Sequence, residues 1–106
     1  MNKILQVNSK QISFLRGLGH NLSPVVMIGN NGLTETVLKE IKLNLSSHEL
    51  IKVQVAGDDR AARKTMCLEI AEKTGATAVH HIGKQLVFYR VSETVKEKSK
   101  IIIPRL

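Results

Sequence analysis

The sequence predicts a single α/β domain: a four-stranded mixed sheet and three helices in two layers, in the chain order α-β-α-β-α-β-β. Three observations predict it. The length of 106 residues suits one domain, because compact domains cluster near ~100–150 residues. Hydrophobic residues make up 42% of the chain, enough to build a core. Along the chain, apolar residues switch between helical spacing and strand alternation, and glycine or proline marks the switches.

Each element follows from its own residues. Ile12, Leu15 and Leu18 recur at three-residue spacing, with Lys10 and Arg16 on other faces. They predict a short amphipathic helix from Ser9 to Leu18 with Ser9 as its N-cap. Gly17, Gly19 and Asn21 end it, and after Pro24 the run Val25-Val26-Met27-Ile28 predicts a short buried strand. A second helix starts beyond Gly29-Asn30-Asn31-Gly32, with Thr34 as N-cap and Glu35 in the first turn, where the helix dipole favours an anion. Leu33 is placed to staple onto Leu38. Val37, Leu38, Ile41 and Leu45 form the apolar stripe, and Glu35, Lys39, Lys42 and Ser46 the opposite one, until the helix fades near Ser47-His48.

Glu49 to Val55 alternates, with Ile51, Val53 and Val55 on one face and Leu50, Lys52 and Gln54 on the other, as in a half-buried strand. Gly57-Asp58 breaks it and caps a third helix, whose apolar side is Ala62, Met66, Ile70 and Ala71 and whose end is marked by Gly75. Ala76 to Ile82 and Leu86 to Val91 predict two strands joined by a tight turn at Gly83-Lys84. Residues 1–91 thus form the expected domain. Residues 92–106 read as a basic segment docked on it: a polar connector from Ser92 to Lys100, then Ile101-Ile102-Ile103-Pro104, which would expose three isoleucines if it floated free.

Sixteen Lys and Arg stand against nine Asp and Glu, a net charge of +7 with a pI near 9.9. Six basic and three acidic residues fall within 1–57, ten and six within 58–106, so the charge belongs to the whole domain. Such a balance favours a polyanionic partner. Aromatic residues are only 3%, too few for a platform stacking several bases, so a nucleic acid would be held by backbone and shape.

Other classes lack their signatures. No run approaches the ~18 apolar residues of a membrane span, and Met1 to Gln6 is not a secretory leader. One cysteine builds neither a disulfide framework nor a thiolate metal site, which points to a reducing, cytoplasmic setting. His80 and His81 are neighbours on a strand and point to opposite faces, so they do not form a metal pair. Cys67 reads as core, and Phe88 and Tyr89 as sheet packing. No paired carboxylates, nucleophile triad or ligand cluster is present, so no enzyme, cofactor, metal or small-molecule substrate is expected.

The chemistry concentrates at Gly29-Asn30-Asn31-Gly32. A helix N-terminus presents unpaired N–H groups and a partial positive charge, glycine lets a phosphodiester approach the backbone, and Lys39 and Lys42 continue along the helix. Gly-x-x-Gly alone is also an ordinary turn. Neither a P-loop nor a dinucleotide-binding loop fits, since no Gly-Lys-Ser/Thr follows and the third glycine is missing. Arg60, Arg63 and Lys64 cluster early in the third helix, where Asp58 and Asp59 offset them. Lys52, Lys84 and Arg90 extend the candidate basic surface.

The stretch from Leu22 to Thr34, LSPVVMIGNNGLT, resembles the signature of the CRM (chloroplast RNA splicing and ribosome maturation) domain, and in particular its small bacterial YhbY-type members. Glu49-Leu50-Ile51-Lys52-Val53, Thr74-Gly75-Ala76, Gly83 to Arg90 and Pro104-Arg105 extend the resemblance over nearly the whole chain. It implies a fold like the C-terminal domain of translation initiation factor three. It also implies a non-catalytic role in binding structured ribosomal RNA of large-subunit precursors. Gly29 to Gly32 matches the family's GxxG loop. Many members carry Lys or Arg between the glycines; here Asn30 and Asn31 leave the contact to backbone donors and to Lys39 and Lys42. The expected partner is RNA, bound by a monomer. Two alternatives are a KH-like single-strand binder, whose loop would join two helices instead of a strand and a helix, and a protein–protein adaptor on ribosome precursors.

Overall fold

The computed structural model describes residues 8–92, 101 and 103. Its elements are α1 (Ser9–His20), β1 (Val26–Ile28), α2 (Glu35–His48), β2 (Leu50–Val55), α3 (Arg60–Thr74), β3 (Thr77–Ile82) and β4 (Gln85–Tyr89). This is the expected order. The four strands form one mixed sheet, β1-β2-β4-β3, in which β1 runs parallel to β2 and the other pairs are antiparallel.

The helices lie on both faces, so the layering is helix–sheet–helix and not the two layers expected. Ile41 and Leu45 of α2 and Cys67 and Ile70 of α3 pack with Val26, Ile28, Ile51, Val53, Leu86 and Phe88 on one face. On the other, Leu15 of α1 packs with Leu50, Val79, Val87 and Tyr89, joined by Ile101 and Ile103. Central β2 is therefore buried on both sides rather than half-buried. Gly19 fixes how closely α1 approaches: a Cβ there would lie 2.9 Å from Val87 Cγ1.

Local chemistry explains the boundaries. Asn8, not Ser9, caps α1, in a capping box with Gln11. Thr34 caps α2 by accepting from the Val37 amide, and Asp59 caps α3 by accepting from Ala62. The buried side of α3 is Arg63, Cys67, Ile70 and Thr74, which shifts the expected stripe around the helix. Gly75 ends α3 in the left-handed conformation at φ 74°.

Ser92 and Ile101 are both held by Glu49. This fully buried residue sits at φ 64° between α2 and β2. Its carboxylate accepts from the amides of Ser92 at 2.7 Å and Ile101 at 2.8 Å. The connector expected between these positions, residues 93–100, lies outside the described residues.

Candidate nucleic-acid interface

Sheet topology gathers the candidate site at one end. Because β2 is parallel to β1 and antiparallel to β4, the end of β1, the end of β2 and the β3–β4 turn share one edge. Hydrogen bonds tie them together: Ala56 N donates to Ile28 O and Val55 N to Lys84 O, each at 2.8 Å. Both α2 and α3 begin at this edge.

Residues 29–32 form a tight turn closed by Gly32 N donating to Gly29 O at 3.0 Å. Gly32 takes φ 73°, a conformation that disfavours L side chains. Gly29, Asn30 and Asn31 are exposed, and their amides find no acceptor among the described residues. Gly29 differs from Gly32: its φ is ordinary, and a Cβ there would meet nothing within 4 Å. The backbone conformation does not require a glycine at that position.

Lys39 and Lys42 are exposed on α2, about 6 and 10 Å along the axis from its first residue at 1.5 Å rise per residue. The stripe they belong to curves toward the body at its far end, where Ser46 is half-buried. Arg60 and Lys64 are exposed on the first turns of α3. Lys84 pairs with Asp58 at 3.1 Å, but both side chains stand in solvent and the pair holds Lys84 weakly.

Three expected contacts are used by the fold instead. Lys52 is buried under the end of α1, and its ammonium donates to His20 O at 3.4 Å. Arg63 is buried and donates to Gly57 O at 3.0 Å, bracing the loop before α3. Arg90 lies at the opposite end of the sheet, where it donates to Thr74 O, Lys42 O and Ser46 Oγ and ties α2, α3 and β4 together. In each case the charged tip reaches a carbonyl that closes a helix or loop, a use of arginine and lysine that spacing alone does not reveal.

The histidines divide as alternation requires, His80 opposite Val87 and His81 opposite Leu86. Burial, then Arg16 and other nearby cations, holds His80 below the usual histidine range. Burial, then Arg60 and Arg63, does the same for His81. Cys67 is buried, which pushes its thiol up and leaves it a core residue.

The sequence profile of the CRS1/YhbY (CRM) domain matches residues 7–90. This chain belongs to that family. A Haemophilus influenzae relative named "RNA-binding protein" is 50% identical over 99 residues, covering 93% of this chain and 96% of its own. A Pseudomonas aeruginosa relative named "Probable RNA-binding protein PA4753" is 36% identical over 86 residues, covering 81% and 83%. The solution structure of SAV1595 from Staphylococcus aureus superposes with a TM-score of 0.80 at 35% identity, over 93% of this chain and all of that one. The CRM domain thus presents its GNNG turn at the sheet edge where α2, α3 and the β3–β4 turn meet. Strand register also brings Met27, Gln54, Gln85 and Ile82 together on the neighbouring sheet face, a grouping that no spacing in the sequence reveals.

Proposed function

We propose that this CRM domain is a non-catalytic RNA-binding protein that seats a phosphate on the Gly29–Asn31 amides and tracks the adjoining backbone with Lys39, Lys42, Arg60 and Lys84. The observation that carries the reading is a glycine the fold does not need. Gly29 has an ordinary φ and open space around it, beside two further exposed amides without an acceptor among the described residues. A side chain there would instead hold a phosphodiester away from the main chain.

The family resemblance supports a more specific role on ribosomal RNA of large-subunit precursors. No described group of histidines, cysteines or carboxylates gathers into a metal site, and a binding role needs none.

Gly29→Ala separates function from folding. Its melting temperature should stay within a degree or two of wild type, while affinity for a large-subunit ribosomal RNA fragment drops about tenfold. Lys39→Glu with Lys42→Glu should weaken binding to all RNAs and flatten the salt dependence of affinity, since fewer counterions are released. Unchanged affinity in both variants would discard the loop and its lysine track. Crosslinking and sequencing of bound RNA in cells tests the ribosomal assignment: large-subunit precursor sequences support it, and messenger or transfer RNA in their place overturns it.

A further inference from the structure

Strand register places four side chains in one row across the sheet: Met27 opposite Gln54, Gln54 opposite Gln85, and Gln85 opposite Ile82. The row lies on the face that α1 covers, but α1 stops short of it. Its last turn ends over the preceding rung, where Gly19 meets Val87 and His20 O accepts from Lys52. Nothing else among the described residues covers the row, so Met27 is 63% and Ile82 54% exposed. The two glutamines between them are half-exposed, and neither carboxamide has a hydrogen-bond partner among the described residues.

Two properties say what fits there. The first is charge. Arg16 and His20 of α1 and Lys52 of β2 gather around His80 of β3 on this side, and the carboxylate nearest this face among the described residues, Glu49, is fully buried at the far end of β2. The second is continuity. The row begins at Met27, two residues before Gly29, so a phosphate seated on the GNNG turn lies about 7 Å from the row at ~3.3 Å per residue, close enough for a neighbouring base to reach it. A carboxamide offers a donor and an acceptor side by side, the pattern that reads the edge of adenine. Apolar Met27 and Ile82 can cover base faces without an aromatic ring.

We propose that the Met27–Gln54–Gln85–Ile82 row is a base-reading platform for one or two unpaired nucleotides, with Arg16 and His20 at its rim holding the phosphates that follow. The inference rests on the RNA-binding reading above and adds sequence preference to it. Unpaired bases of this kind occur in the loops and bulges of structured RNA.

The test compares short single-stranded oligo(A) and oligo(U) by fluorescence anisotropy, on the full chain, for wild type and for Gln54→Thr with Gln85→Thr. Threonine suits exposed strand positions and keeps the sheet. Wild type should prefer oligo(A) by about tenfold, and the double variant should bind both RNAs nearly equally with an unchanged salt slope. Peroxide footprinting needs no variant: bound oligo(A) should protect Met27 from oxidation and leave half-buried Met66 unaffected. Tight binding without an oligo(A) preference, or a preference the double variant retains, overturns the platform and leaves the loop reading standing. So does protection of Met27 by a peptide and not by RNA. If wild type binds no RNA at all, both readings fall.

Discussion

Glu49 accepts two amides from the C-terminal part of the chain while holding a backbone conformation that L residues rarely adopt. Glu49→Ala removes both acceptors and keeps the unfavourable φ, so it should cost about 2–4 kcal/mol in urea denaturation and speed hydrogen exchange at Ser92 and Ile101. Glu49→Gly loses the same bonds but adopts positive φ freely, and should cost roughly 1 kcal/mol less than Glu49→Ala. Equal losses would show that the conformation is not strained. Neither feature was legible in the sequence, where Glu49 reads as the first residue of an alternating strand; a carboxylate that serves amides 43 and 52 positions away leaves no periodic trace. Lys52 and Arg63 escaped for a related reason. Long cationic side chains can bury their stems and still deliver the charged tip to a carbonyl.

Among the elements, α1 is placed by one close approach. Gly19→Ala puts a methyl 2.9 Å from Val87 Cγ1, so α1 or the buried Val87 side chain must shift and stability should fall by about 1–3 kcal/mol. Gly17→Ala, two residues earlier in the same helix, meets nothing within 4 Å and should raise stability by about 0.5–1 kcal/mol. Thermal denaturation of the pair checks the docking, and equal effects would contradict it. The elements themselves were largely legible: Thr34 and Gly75 stand at the ends expected of them, and all seven elements appear in order. Less legible was which side of the sheet each helix takes. Leu50 and Lys52 alternate with Ile51 and Val53 in a pattern that suits one wet face, until α1 covers it and makes β2 a strand buried on both sides.

For the whole molecule, pH should act from both directions. His80 and His81 resist protonation in the folded state, mainly through burial. As pH falls below the ordinary histidine value of 6.5, the unfolded chain takes up protons first, so their contribution, present above that value, is lost on acidification. Tyr89 behaves oppositely: burial and then Glu49 push its phenol up to about 12. Its contribution is intact below pH 10 and is lost as pH rises from 10 toward about 12. Urea midpoints measured across pH should fall at both extremes, and His81→Gln should blunt the acid limb; an acid limb unaltered in that variant would exclude His81 as a cause. At this scale the site was only partly legible. The turn and the α2 lysines could be found from spacing, but the convergence of both helix starts and the hairpin on one edge depends on the strand order β1-β2-β4-β3, which no local pattern encodes. The position of Glu49 has a practical outcome. Ser92 and Ile101 are fastened to it at the pole of the sheet remote from residues 29–32, so a reporter dye or surface tether carried at that pole, for instance on exposed His48 next to Glu49, would stand behind the molecule and leave the front open to a bulky particle.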